Sequence, residues 1–147
     1  MQSQTIGLLV GGIAPALLLG LSALCQKAAA QSGAGAVSTM LVAGVGIVCT
    51  ALVAAVVFPG NVTLSGRSGM YAALYGIIWC TASIGIMLAL GRYGVPVGKL
   101  VPLFNMNTLV AVVLALWIFS EWRTVNVPQL LLGAVLVAAG GVIVARA

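Results

Sequence analysis

The stretch VSTMLVAGVGIVCTALVAAVVF, residues 37–58, carries no charged side chain over 22 positions. A bilayer whose hydrocarbon core is about 30 Å thick requires roughly 20 apolar residues in a helix that crosses it. Segments this long and this apolar are typical of membrane-spanning helices rather than of the cores of soluble domains. The sequence therefore predicts a helix that crosses the membrane between Val37 and Phe58.

The composition of the whole chain agrees with this prediction. Only 5% of the 147 residues are charged and 63% are hydrophobic, whereas soluble domains carry about 25% charged residues. A chain of this size could not hide so much apolar surface from water. The composition excludes a soluble enzyme and predicts an all-α integral membrane protein.

Four further apolar segments have the length that a membrane span requires, and polar or Gly- and Pro-containing turns separate them. The five predicted helices belong to a single domain, residues 1–147, and cover residues 6–24, 37–58, 70–90, 97–119 and 130–144. Before the last of them, Asn126, Val127 and Pro128 form a sequence that can cap and start a helix.

This chain lacks the side chains that most catalytic chemistries need. Histidine is absent, and the one acidic residue is Glu121. Metal sites, His-based triads and carboxylate pairs are therefore excluded. We expect neither enzymatic activity nor a cofactor.

Two prolines lie inside predicted spans. Pro102 lacks a backbone N–H and its ring clashes with the carbonyl one turn earlier, so we expect a loosened helix start near Gly98. Pro15 marks a kink in the first span that neighbouring groups must satisfy. Both prolines are predicted helix breaks or hinges, and broken helices in transporters present free backbone groups to a cavity.

Polar side chains follow Pro102 in the fourth span. Asn105 and Thr108 lie about 60° apart on a helical wheel and can line one surface. For Asn105 two interpretations remain open, which are cavity lining and a structural hydrogen bond between helices, worth roughly 0.6–2 kcal/mol. Lys99, near the start of this span, either extends to the headgroups or attracts an anionic substrate group from within a cavity.

An aromatic stripe marks the third span. Tyr71, Tyr75 and Trp79 recur every four residues and share one face of a helix. Tyr71 is close to the membrane interface, whereas Tyr75 and Trp79 are deeper and can either line a cavity wall or serve packing alone.

Several of these segments resemble the EamA-type domain of the drug/metabolite transporter superfamily. The resemblance covers nearly the whole chain, and it is strongest at KLVPLFN, which leads into the long apolar stretch ending at Glu121. The family commonly has a Gly-Glu pair there, so Ser120 departs from its pattern. The other similar segments are GLSALCQK at 20–27, YAALYG at 71–76, LLGA at 131–134 and AGGV at 139–142.

The resemblance implies a half-transporter. Many members have ten spans in two inverted five-span repeats around a central cavity, so a single repeat would need a second copy or a sister chain. It also implies that Pro102 belongs to the family's fourth-helix motif, and that Glu121 is a structural loop acid rather than a substrate ligand.

These observations favour a permease or exporter for a small solute, acting as a dimer by alternating access. The positive balance and the lack of a carboxylate near the bilayer centre favour a neutral or anionic metabolite. The predicted cavity residues are Asn105, Thr108, Tyr75, Trp79 and Lys99.

Two alternatives remain, which are a flippase for lipid-linked carriers and a non-transporting subunit of a larger membrane complex. The expected location is the plasma membrane or bacterial inner membrane. The expected partners are the lipid bilayer, a second copy in parallel or antiparallel orientation or a sister chain, and a small-molecule substrate, with no nucleic acid.

The cations predict the orientation of the chain. Four lie on the side of the predicted C-terminus and two on the other side, so the positive-inside rule places the C-terminus in the cytoplasm by a small margin. The four are Lys27, Arg92, Lys99 and Arg146, and the two are Arg67 and Arg123.

So small a margin suggests that some copies insert the other way and pack antiparallel. Reporter fusions at both termini should then report both orientations, and one fixed orientation would contradict dual insertion.

Overall fold

The computed structural model describes the backbone at residues 2–123 and 125–147 and the side chains at residues 5–120, 122, 123 and 125–147. Its described residues are helical or lie in turns, with no strand among them. The described part of the chain contains seven α-helices: α1 Gln2–Leu8, α2 Ala14–Gln31, α3 Ala36–Val57, α4 Gly66–Gly91, α5 Val97–Phe104, α6 Asn107–Ile118 and α7 Val127–Arg146. A π-helical turn at Leu9–Ile13 joins α1 to α2, and 3₁₀ turns lie at Pro59–Asn61 and Glu121–Arg123.

Five helical segments are long and apolar enough to cross a membrane, which confirms the predicted number of spans. They are Thr5–Gln31, Ala36–Val57, Gly66–Gly91, Val97–Ile118 and Val127–Arg146. Large apolar side chains such as Leu8, Val42 and Val56 are more than two-thirds exposed on these helices. Such surfaces are stable in hydrocarbon and would be costly in water, so the chain is a multi-pass membrane protein.

The first span ends later and the last span begins earlier than predicted, because capping interactions determine both positions. The first span continues past Leu24 to Gln31, where Gly33 with φ +82° closes the helix. The Gly33 N–H donates to the Ala30 carbonyl and the Ala34 N–H donates to the Ala29 carbonyl, the two bonds of a Schellman motif. At the other end of the chain, Asn126 accepts a hydrogen bond from the Gln129 N–H at 3.4 Å, so α7 begins at Val127 instead of residue 130.

Pro15 lies at the start of α2, directly after the π-helical turn. In that turn the Ala14 N–H donates to the Leu9 carbonyl, five residues earlier. The proline ring would clash with the Gly11 carbonyl in a regular α-helix, and the wider turn gives it room. The first span thus continues through this proline without a break, and a hinge there stays a prediction.

The chain divides into two compact units, Met1–Gly94 and Val95–Ala147. In the first unit, α4 packs against both α2 and α3. Its buried face consists of Ser83, Met87 and Leu90, at the i, i+4, i+7 spacing of one helical stripe. Ala23 of α2 and Met40 of α3 are the other buried residues described in this unit.

In the second unit, α7 packs against both α5 and α6. Its buried stripe has the same spacing but only small residues, Ala134, Ala138 and Gly141. Small residues at such positions let membrane helices approach closely. The approach is closest at Gly141, where an added Cβ would overlap the carbonyl oxygen of Pro102 and lie 3.1 Å from its carbonyl carbon.

This contact accounts for a break in the fourth span. The span was predicted as one helix over 97–119, but it consists of α5 and α6 with a turn at residues 105–106. Pro102 lies inside α5, and its carbonyl lies against Gly141. The Met106 N–H donates to the Leu103 carbonyl at 3.2 Å instead of to that of Pro102. The irregular backbone therefore follows the proline, whereas the sequence predicted a loosened start near Gly98, which is helical.

We expect Gly141→Ala to destabilise the second unit, because the new methyl group can be accommodated only if α5 moves away from α7. Overpacking of this kind costs about 1–3 kcal/mol, and thermal unfolding of the detergent-solubilised protein measures it. Gly140→Ala is the matched control, since a Cβ at Gly140 meets no atom within 4 Å. An equal effect of both substitutions would contradict the close approach.

Candidate functional site

The turn at residues 105–106 places irregular backbone and the amide side chain of Asn105 inside a membrane span. Asn105 lies eight residues after the start of α5, which corresponds to about 12 Å along the helix. The Thr108 N–H donates to the Asn105 carbonyl and the Leu109 N–H donates to the Met106 carbonyl, both at 3.0 Å and three residues apart. The turn is thus tightened to 3₁₀ geometry close to the middle of the span. Irregular backbone at this depth is tolerated where protein or a water-filled cavity surrounds it.

A groove of about 480 Å³ lies between α6 and the first half of α7. Its polar groups come from Thr108 on α6 and from Asn126 and Gln129 at the start of α7. Its remaining lining is aliphatic: Val112, Val125, Leu130, Gly133, Ala134 and Val137. Small-molecule sites are typically of about 300–1,000 Å³, with mostly apolar walls and a few polar groups. The groove has this character, and none of the described residues in its lining is charged.

Of the predicted cavity residues in this unit, Thr108 lines the groove. Asn105 is exposed at the turn, and Lys99 is half-buried on α5, but neither belongs to the lining of the groove. Asn105 lies in the turn that follows α5, whereas Thr108 belongs to α6. A wheel drawn for one continuous helix therefore does not apply to this pair.

Two groove residues were not among the predicted cavity residues. Asn126 was recognised only as a helix cap, and Gln129 preceded the predicted start of the last span at residue 130. The cap is what brings both into the groove, because helix α7 starts at Val127 and Gln129 then lies in its first turn. A search for polar side chains in the first turn of each capped span would have found Gln129.

A second groove, of about 600 Å³, lies within the first unit between α2 and α3. Trp79 of α4 contributes to its lining, whereas Tyr75 does not. The predicted aromatic stripe drifts around α4, since a step of four residues turns the helix by about 400°. Exposure accordingly changes from 70% at Tyr75 through 37% at Trp79 to 4% at Ser83. The stripe thus continues into the buried face of α4.

The roles of Asn105, Lys99, Tyr75 and Trp79 in a substrate cavity remain predictions. The described charges lie towards helix ends: Lys27 is near the end of α2, Arg92 follows α4, and Arg146 ends α7. The predicted structural acid, Glu121, starts the 3₁₀ turn at Glu121–Arg123, and its side chain lies outside the described residues.

Comparisons of this chain with protein-family models, with curated proteins and with solved structures find no match. The resemblance to EamA-type domains therefore remains a prediction from the sequence.

The polarity of the second-unit groove predicts access of water to Thr108. In a variant without Cys25, Cys49 and Cys80, we expect a membrane-impermeant maleimide to label Thr108→Cys readily, because the thiolate that reacts forms only where water reaches the sulfur. Val110→Cys is the control, since Val110 is 59% exposed on the same helix but does not line the groove. Equal labelling of the two variants would contradict a water-filled groove.

Proposed function

We propose that this protein is a permease or exporter for small neutral or anionic metabolites, rather than an enzyme, in the plasma membrane or bacterial inner membrane. It acts as a dimer and works by alternating access. The observation that carries the proposal is the break in the fourth span at residues 105–106, beside a mostly aliphatic groove that contains three polar side chains.

The position of the break supports transport. Transporters commonly use interrupted helices near the middle of the bilayer, because the exposed backbone groups and helix ends can bind a solute there. In this chain the interruption is held by a specific contact between Pro102 and Gly141. A purely structural helix would gain stability from uninterrupted hydrogen bonds, so a break that needs such a contact favours a functional role.

The polar groups support the substrate class. Thr108, Asn126 and Gln129 offer hydroxyl and amide groups that bind neutral solutes by hydrogen bonds. Lys99 is half-buried on α5 and adds one positive charge, which suits an anionic group. The one acid in the sequence, Glu121, lies at the 3₁₀ turn after α6. A cationic solute would therefore lack a counter-charge near the break.

The packing of the second unit suggests which part moves. The contact of Pro102 with Gly141 holds α5 against the second half of α7. The turn at residues 105–106 separates α6 from this pair, so α6 can rotate about the turn and widen or close its groove with α7. Hinges of this kind are a few element-terminal residues that absorb the change in backbone angles.

Five spans correspond to one repeat of a transporter built from two inverted repeats. A second copy or a sister chain would complete the pathway, and insertion in both orientations would let two identical chains form it. Alternating access would then result from rocking of one repeat against the other.

Purified protein in liposomes tests the proposal. The liposomes are loaded with a defined mixture of neutral and anionic metabolites, and mass spectrometry of the outside solution identifies which of them leave. Selective efflux of one class supports a permease. Efflux no faster than from loaded liposomes without protein, together with co-purification of a fixed partner chain from native membranes, would indicate a non-transporting subunit.

We expect Asn105→Leu to reduce efflux to the rate of protein-free liposomes without lowering the abundance or melting temperature of the protein. The reason is that the substitution removes the amide group at the break and leaves the backbone turn in place. Val110→Leu, an apolar exchange at an exposed position of α6, should retain efflux. Equal loss of efflux and abundance in Asn105→Leu would show that Asn105 is structural.

A further inference from the structure

The groove of the first unit exists because α2 and α3 each pack on α4. Its inner end is formed by Leu19, Ile47 and Trp79. Each of these residues lies within about two positions of the middle of its span, the spans being Thr5–Gln31, Ala36–Val57 and Gly66–Gly91. The inner end of the groove is therefore at the centre of the bilayer.

The outer end of the groove is at the turn between α2 and α3, where Ala29, Ala34 and Ser38 line it. From Leu19 to Ala29 the helix rises about 15 Å. This length equals one leaflet, since the hydrocarbon core of a bilayer is about 30 Å thick. The groove thus runs from the membrane surface to the midplane along one leaflet.

The walls of the groove suit hydrocarbon more than a polar solute. Two of its hydroxyl groups are occupied by their own helices: Ser22 donates to the Leu19 carbonyl at 2.8 Å and Thr39 donates to the Gly35 carbonyl at 3.0 Å. Most of the remaining wall is aliphatic or aromatic. A molecule with a flexible apolar chain would gain dispersion contacts along these walls.

The outer end is positively charged. Lys27 is half-buried beside Gln26, which lines the groove. Arg92 lines an adjoining depression of about 250 Å³ that shares Ala34 with the groove. The ends of α2 and α4 are close together here, since a Cβ at Gly91 would lie 3.7 Å from the Cβ of Ala30. Residues 1–94 contain no acidic side chain, so nothing in the first unit neutralises these two cations.

We propose that this groove is a binding site for an anionic phospholipid, with one acyl chain along α2 and α3 and the phosphate at the end that carries Lys27 and Arg92. In copies with the orientation that the positive-inside rule favours, this end lies at the cytoplasmic leaflet, where anionic lipids are concentrated. Trp79 then contacts the end of the acyl chain rather than the transported solute.

Quenching of tryptophan fluorescence by brominated lipids tests the site. The variant Trp117→Phe/Trp122→Phe keeps Trp79 as its single tryptophan. It is placed in two matched series of phosphatidylcholine nanodiscs with increasing mole fractions of a lipid brominated near the chain end. The brominated lipid is phosphatidylglycerol in one series and phosphatidylcholine in the other. One cation near the surface contributes about 1 kcal/mol to the binding of anionic lipid. Lys27 and Arg92 together should therefore let phosphatidylglycerol reach half-maximal quenching at a roughly thirtyfold lower mole fraction.

Matched variants separate the acyl-chain contact from the charge contact. Ala29→Phe or Ala43→Phe, each in the wall of the groove, should abolish the preference by filling the space of the chain, whereas Ala28→Phe, outside the lining, should retain it. Lys27→Gln and Arg92→Gln should each reduce the preference, whereas Arg67→Gln, next to the start of α4, should not.

Equal quenching by the two brominated lipids in the Trp79-only protein would overturn the proposal. A preference that persists in both Ala29→Phe and Ala43→Phe would overturn it as well, because the lipid would then bind elsewhere. The result is independent of the proposed permease activity: the efflux assay on Asn105→Leu concerns the second unit, and either test can fail alone.

Discussion

Hydrocarbon offers no hydrogen-bond partner, so each backbone amide within these five spans must be satisfied by protein. Regular helices meet this requirement over most of the chain. Pro128 lies in the first turn of its span, where no amide is needed, whereas Pro15 and Pro102 lie in span interiors, where the requirement cannot be met in the regular way. At Pro15 the helix widens into a π-helical turn and continues. At Pro102 the carbonyl lies against Gly141 of α7, and the span is divided into α5 and α6. The same covalent constraint thus has two outcomes, and the difference lies in the surroundings of each proline.

Much of the fold could be predicted from residue composition. Long apolar runs give the number and order of the spans, because the thickness of the bilayer sets how many apolar residues one span needs. The ends were less predictable, since they depend on caps: the Schellman turn at Gly33 lengthens the first span, and the Asn126 side chain starts the last one three residues early. The cap at Asn126 is visible in the sequence, and a start at Val127 places Gln129 in the first turn of the last helix.

The candidate site was only partly predictable, because its geometry depends on contacts between distant residues. Pro102 indicated an irregularity in the fourth span, but Gly141 determines where that irregularity lies, and no local pattern relates these two residues. Trp79 could be selected by its spacing with Tyr71 and Tyr75. Which of the three faces a groove depends on the packing of α2 and α3 on α4, and periodicity within one helix contains no information about this packing.

The buried faces of the two central helices differ in residue size, since α4 has Met87 and Leu90 where α7 has only alanine and glycine. In membranes, helices associate through close packing rather than through exclusion of water, so side-chain volume at the contact sets how near they come. Ala134, Ala138 and Gly141 let α5 approach α7 until backbone meets backbone, and the resulting turn leaves the groove beside α6. In the first unit Met87 and Leu90 lie in the buried face of α4, and the groove lies between α2 and α3. The irregular turn is thus beside small residues in one unit, and the apolar groove is beside larger ones in the other. This division suits a solute in the second unit and a lipid chain in the first.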